Sequence, residues 1–222
     1  MDFNDTPQEA EFRKKVRSFL EANAEKRSTL AAKPKGDSGS SISSAGAPET
    51  VKGEDAAKVA LNNAKEWQRK KADAGFAAIL WPKEFGGYGG TPIEQVIYAQ
   101  EEHDYFVHSG YFEIGIGMLG PTMMAWGKDE DKQRFLPKMI TGEEIWCQLF
   151  SEPSAGSDLA GIRMKAEKDG DEWVLNGQKV WTSGAHFADY GMIVARSDPT
   201  ALKHKGLTYF YVDMKTPGIE AK

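Results

Sequence analysis

Cysteine is almost missing from this sequence: Cys147 stands alone among 222 residues, so no internal disulfide can form. The N-terminus has no basic stretch running into an apolar one, so no secretory signal is read, and a reducing, cytoplasmic location is expected. Long hydrophobic runs are also lacking. The longest, such as Phe76 to Trp81, fall far short of the roughly 20 residues that cross a bilayer, so no membrane span is expected. Positive charge is not in excess, with 28 Lys and Arg against 33 Asp and Glu and a formal net charge of −5. Without a basic cluster the chain has no phosphate-neutralising footprint, which argues against nucleic acid as a partner. Histidine is scarce: His103, His108, His186 and His204 are scattered, with no Cys or acid at metal-ligand spacing, so no metal site is expected. What is present is an ordinary globular composition. Hydrophobic residues make up 40%, before 23 Gly are counted, and a chain of this length can bury a core without staples.

The first part of the chain reads as helical. Thr6-Pro7-Gln8-Glu9 and Thr91-Pro92-Ile93-Glu94 each place a hydroxyl at an N-cap, Pro at the first helical position and Glu where it closes a capping box. After the first, Phe12, Val16, Phe19 and Leu20 form one apolar stripe on a helix running to about Arg27. Residues 33–53 turn to Gly, Ser, Pro and Ala, with little to bury, and read as a flexible insertion. Helical character returns over Glu54 to Ala72, with Val59, Ala60, Leu61, Ala64 and Trp67 near one face. Further helices are expected over Ile93 to Asp104, Pro121 to Trp126 and Asp129 to Ile140, with Gly127 and Gly142 as stops. The acidic run Glu101-Glu102-His103-Asp104 reads as a solvated face. Residues 1–142 are expected to form a helical domain and 143–222 an incomplete β-domain.

In that second part the period changes to two. Glu144 to Phe150 is a strand candidate, and Tyr190 to Ala195 and Leu207 to Met214 are two more. Glu172 to Leu175, Asn176-Gly177 and Gln178 to Trp181 read as a β-hairpin, because Asn-Gly suits a type I′ turn. Thr216-Pro217-Gly218 reads as a turn into a further strand begun at Ile219. A sheet cut there would expose an edge, so the chain is expected to be the front part of a longer protein.

Gly115-Ile-Gly117-Met-Leu-Gly120 matches GxGxxG, but a dinucleotide site also needs a preceding strand, a following helix and an acid about 20 residues on. Gly127 interrupts the helix and Glu152 lies too far away, so close packing of a helix against a neighbour or ligand is the better reading. Ser157 lacks the GxSxG elbow of a hydrolase nucleophile. Trp146 to Asp158, a strand running into the small-residue loop Ser151-Glu152-Pro153-Ser154-Ala155-Gly156-Ser157, is a ligand-loop candidate, since exposed N–H groups and hydroxyls bind anionic or carbonyl oxygens. Trp181-Thr182-Ser183-Gly184 then offers an aromatic plane beside two hydroxyls, which suits a flat heterocycle.

These two stretches, with Leu80 to Gly87, Gly120-Pro121-Thr122 and Asn176-Gly177-Gln178-Lys179, resemble the acyl-CoA dehydrogenase family over nearly the whole chain except the insertion. The resemblance implies an α+β chain: an N-terminal all-helical domain followed by most of an antiparallel, β-barrel-like middle domain, with a C-terminal helical domain absent. It implies FAD as cofactor, contacted by Gln148, Phe150, Ser151, Gly156 and Ser157 in a first segment and by Trp181, Thr182 and Ser183 in a second. Trp181 would cover the flavin ring and Ser183 would meet N5. Acyl-CoA would be contacted by Ser157, by Tyr111, Gly115 and Met118 at the far end of the acyl pocket, and by His204 and Lys205 near the nucleotide. The implied reaction is α,β-dehydrogenation of the thioester to a trans-2-enoyl-CoA, with electrons passed to an electron-transfer flavoprotein, in a homo- or hetero-oligomer. The family's catalytic Glu belongs to the absent domain, so no base is assigned, Glu152 is read as fixing its loop, and the chain alone is expected to be inactive. An acyl-CoA oxidase, a flavin monooxygenase of the same fold, and a non-catalytic truncated or paired subunit are the alternatives.

Overall fold

The computed structural model describes residues 4–27 and 54–222; the insertion expected at 33–53 lies outside them. The chain divides into two compact units, Met1–Glu143 and Glu144–Lys222.

In the first unit both capping boxes form. Helix α1 (Pro7–Asn23) begins where Thr6 Oγ1 accepts from Glu9 N–H at 3.3 Å and Glu9 Oε2 accepts from Thr6 N–H at 2.7 Å. Helix α2 spans Glu54–Asp73, and α3 (Pro92–His103) repeats the box with Thr91 and Glu94 at 3.2 and 2.7 Å. Helices α4 (Gly120–Trp126) and α5 (Asp129–Thr141) follow, and α5 stops at Gly142 in the left-handed conformation, φ 74°. The α1 stripe is inward-facing, with Phe12, Val16 and Leu20 buried against Trp67, Phe76, Ile79, Ile97, Tyr98 and Tyr105. Helix α1 ends four residues before the expected Arg27. The chain turns extended at Ala24, and strand β1 (Glu25–Lys26) pairs antiparallel with β2 (Tyr105–Phe106), so the unit is not wholly helical.

In the acidic run at the end of α3, His103 and Asp104 are exposed as expected, but Glu101 and Glu102 are not a solvated face. Glu101 accepts from Arg13 at 2.7 Å and from Arg17 at 2.7 and 3.0 Å, tying α3 to α1, and its side chain is only 11% exposed. Glu102 accepts from Trp67 Nε1 at 3.2 Å and the Tyr98 hydroxyl at 2.9 Å. Partial burial alone would raise the Glu101 pKa, but the hydrogen bonds from Arg17 and Arg13 outweigh it and hold the carboxyl below its usual range.

No strand leads directly into the GxGxxG stretch, since β2 ends at Phe106. Gly115–Leu119 is a π-helical turn running directly into α4. Trp81 Nε1 donates to Ile116 O at 2.9 Å, and a Cβ on Gly120 would stand 1.9 Å from Trp81 Cζ2. Gly120 therefore admits an indole of the same unit, which is the close-packing reading.

The second unit is built on strand β6 (Tyr190–Arg196), whose buried run Gly191 to Ala195 explains its central place. Strand β7 (Leu207–Asp213) pairs antiparallel with β6 along its whole length. Strand β3 (Trp146–Leu149) pairs parallel with it from Trp146↔Tyr190 to Leu149↔Ile193, and β4 (Lys165–Asp169) joins it in parallel at Lys165↔Arg196. Strand β5 (Glu172–Asn176) pairs antiparallel with β4. The α+β class holds, but the five-stranded sheet is mixed and open, without barrel closure.

The expected hairpin is displaced. Glu172–Asn176 is a strand, but its partner is β4, which the sequence pattern does not announce, and Gln178 to Trp181 is not a strand. The turn is Gly170-Asp171, between paired Asp169 and Glu172, with Gly170 at φ 59° in the glycine-first pattern of a type II′ turn. At Gly177 φ is 159°, extended rather than left-handed, so Asn176-Gly177 does not reverse the chain. Residues 214–218 do turn, but Ile219 begins no strand.

Candidate functional site

The ligand loop leaves β3 at Leu149 and is fixed by one buried carboxylate. Glu152, 7% exposed, exchanges two backbone hydrogen bonds with Ala155, at 2.8 and 3.1 Å, which pinches Pro153-Ser154 into a tight turn. Its side chain accepts from the N–H groups of Arg163 at 2.6 Å and Met164 at 3.0 Å, and from Lys179 Nζ at 2.8 Å. Burial raises the carboxyl pKa, but Lys179 and the two amides more than offset this and hold it below the usual range. Glu152 is thus a loop-fixing residue. Lys179, which sequence reasoning quoted only as part of a motif, also donates to the carbonyls of Phe150 at 3.0 Å and Val194 at 2.8 Å. Its signal in the sequence is slight, a lysine two residues before an aromatic; what singles it out is burial, with its side chain 5% exposed.

Both flavin-type segments meet at this anchor. Val180 N–H donates to Ser151 O at 2.9 Å, which sets the Trp181 stretch directly beside the Ser151 loop. Gln148 and Ser151 are half-buried, and Phe150 packs its ring onto a small apolar cluster of Ala155, Ile162 and Val194. Gly156 and Ser157 are exposed, and a Cβ on Gly156 would meet nothing within 4 Å. Trp181 is 92% exposed and sits at φ 58°, a left-handed conformation that costs a non-glycine residue about 1–2 kcal/mol. The turn at Ala185 N–H to Thr182 O, 3.3 Å, follows it at once. The Thr182 hydroxyl oxygen is buried with no hydrogen-bond partner among the described residues, while Ser183 is exposed.

A strained, outward indole beside an orphaned hydroxyl and an open glycine loop is the arrangement a flat, oxygen- and nitrogen-edged heterocycle would satisfy. The residues present therefore fit a flavin.

His204 and Lys205 are exposed on the turn between β6 and β7, where Lys203 has φ 46°. Arg196, unremarked in the sequence, holds that turn to the one after Ser157-Asp158: it donates to Ala160 O at 2.7 Å, Ile162 O at 3.2 Å and Lys203 O at 3.1 Å. Tyr111, Gly115 and Met118 belong to the first unit, where Tyr111 and Gly115 are buried and Met118 is 42% exposed. No cluster of His, Cys, Asp and Glu suited to a metal ion occurs among the described residues, and no helix among them is long and apolar enough to cross a membrane.

Residues 47–143 match the model of the acyl-CoA dehydrogenase N-terminal domain, and residues 147–222 match that of the acyl-CoA dehydrogenase middle domain. The chain belongs to the acyl-CoA dehydrogenase family. It is 50% identical over 151 residues to acyl-CoA dehydrogenase FadE34 of Mycobacterium tuberculosis, covering 68% of this chain and 21% of that one. It is 39% identical over 163 residues to acyl-CoA dehydrogenase IpdE1 of the same organism, covering 73% and 42%. Among solved structures it is similar to the Tcur3481-Tcur3483 steroid ACAD, with a TM-score of 0.74, 28% identity, and coverage of 98% of this chain and 50% of that one. The ChsE4-ChsE5 complex of M. tuberculosis follows at 0.69 and 31%, covering 97% and 49%. The chain thus spans half or less of the length of these acyl-CoA dehydrogenases.

Proposed function

We propose that this chain supplies the helical half and most of the flavin-binding sheet of an FAD-dependent acyl-CoA dehydrogenase. The observation that carries the reading is the pairing of the strained, exposed Trp181 and the orphaned Thr182 hydroxyl with the Ser151 loop, within the stretch that matches the family's middle domain. FAD, when bound, accepts the β-hydrogen of the acyl chain as hydride. Trp181 covers the flat ring, the hydroxyls of Ser151, Thr182 and Ser183 hydrogen-bond its polar edges, and Gln148, the Phe150 backbone and Gly156 shape the same surface. Ser157 reaches both cofactor and the pantetheine or phosphate part of CoA. His204 and Lys205 stand on the turn that Arg196 holds through Lys203 O and offer polar or positive tips for the CoA nucleotide, and Tyr111, Gly115 and Met118 of the first unit are assigned to the acyl end.

Four glutamates of the chain are already engaged in fixed contacts, so we do not assign the α-proton base to any of them. Glu101, Glu102 and Glu152 are held by the Arg, Trp, Tyr and Lys partners described above, and Glu113 accepts from the N–H groups of Gly110 at 2.8 Å and Phe112 at 3.0 Å. Glu101 and Glu152 are also held below the usual carboxylate range, which makes them weaker bases. The reading therefore leaves the base unassigned among these residues, in keeping with the family resemblance, which implies a base from a C-terminal helical domain. Two structural neighbours carry two-chain names, which supports assembly with a partner chain. Electron transfer to an electron-transfer flavoprotein and a reducing, cytoplasmic setting belong to the same reading.

The test is anaerobic addition of an acyl-CoA panel to the purified FAD-loaded full-length protein. Bleaching of the visible flavin band by acyl-CoA, and reoxidation by an electron-transfer flavoprotein but not by oxygen, is expected. No bleaching by any acyl-CoA refutes the reading, and rapid reoxidation by oxygen alone converts it to an oxidase.

A further inference from the structure

The two ligand segments are joined through the Lys179 ammonium and, beside it, the Val180 amide. An ammonium has three N–H donors, and Lys179 directs all three at fixed acceptors: Phe150 O and Glu152 Oε1 in the first segment, and Val194 O on the central strand β6. The next residue, Val180, donates to Ser151 O, and the residue after that is the left-handed Trp181. The apolar support beneath the loop is a small cluster, with Ala155, Ile162 and Val194 as its buried core and Phe150, Leu159, Leu207 and Tyr209 packed on it. Apolar groups resist separation but do not aim carbonyls, so directional polar contacts decide where Ser151 and Trp181 stand.

We infer that Lys179, together with Glu152, is a positioning residue for the cofactor, holding Trp181 outward in its left-handed conformation beside Ser151 so that the two segments meet the flavin as one preformed surface. The inference rests on the flavin reading above. The two parts of the surface lie far apart in sequence, and Lys179 connects them through contacts 15, 27 and 29 residues away. Without it, Trp181 would relax toward an ordinary backbone conformation, and binding would have to reorder the indole and the hydroxyls. Freeing a few such groups is worth about tenfold in affinity.

The experiment compares Lys179→Met, Glu152→Gln and the control Thr91→Ala, a helix-cap change in the other unit, in the FAD-loaded full-length protein. FAD dissociation is measured by ultrafiltration, the bound flavin's visible spectrum is recorded, and amide exchange at Val180 is followed in the flavin-free protein. Lys179→Met should weaken FAD about tenfold, shift the spectrum toward that of free FAD and speed Val180 exchange, while Thr91→Ala loses stability with all three unchanged. Parental affinity and spectrum in Lys179→Met overturn the inference. Should that variant fail to fold, the isosteric Glu152→Gln is read in the same way, and parental values there overturn it equally. Trp181→Ala and Thr182→Val separate the two levels. Parental FAD affinity in both refutes the flavin reading and this inference with it, whereas loss in both beside parental Lys179→Met refutes this inference alone.

Discussion

Replacing Lys179 with Met keeps an unbranched side chain of similar reach and removes the ammonium. Three hydrogen bonds go with it, to Phe150 O, Glu152 Oε1 and Val194 O, each of 2.8–3.0 Å. Glu152 keeps the Arg163 and Met164 amides but loses its countercharge while 7% exposed. Removing one partner of a buried ion pair costs about 3–5 kcal/mol, because the other is left as an uncompensated charge. Part of this is returned, since burial already disfavours the charged lysine and lowers its pKa, with Glu152 compensating incompletely. A net loss of about 3 kcal/mol is therefore expected, measured by urea unfolding followed by tryptophan fluorescence. In the Glu152→Gln background the same change should cost about 1–2 kcal/mol less, the coupling of two groups in direct contact. A loss below about 0.5 kcal/mol, the ordinary range of a surface substitution, or strict additivity with Glu152→Gln, would refute the account of Lys179 as the loop's anchor.

Two glycines should behave oppositely to alanine. Gly120→Ala drives a methyl into the Trp81 indole and should cost about 1–3 kcal/mol or more, whereas Gly156→Ala meets open space and should stay within about 0.5 kcal/mol, both read by thermal unfolding. Thr91→Ala removes one half of a formed capping box and should cost about 1 kcal/mol, with helix α3 losing amide protection before α5 does. Glu152 also sets a pH dependence. Its folded pKa lies below its unfolded one, so its contribution is complete above the unfolded value, about 4.3, and is lost as pH falls through the folded value. The stability gap between the parent and Glu152→Gln should accordingly be widest near neutrality and close as the pH drops below about 4; a gap independent of pH would contradict the assignment.

Local chemistry determined much of the first unit. A Thr-Pro-x-Glu string contains every atom of its capping box within four residues, so both helix starts were legible before any tertiary contact was known, and the α1 stripe named its buried face because a 3.6-residue period has only one apolar side to offer. The family, too, was legible in the order of the motifs. What the sequence could not decide was which of two turn-like dipeptides reverses the chain. Asn176-Gly177 and Gly170-Asp171 both satisfy local rules, and the choice falls to β6, whose free edge takes β3 and β4 in parallel and leaves β5 to pair back on β4. Charge roles were equally hidden. Glu101 and Glu102 look like solvent-facing acids until α1 brings Arg13 and Arg17 across and the fold brings Trp67 beneath them. Lys179 looks like any surface lysine, and nothing local to Trp181 announces its left-handed backbone. Burial and backbone conformation are properties of the assembled chain, and only there does the lysine become the buried anchor and the tryptophan the exposed, strained face.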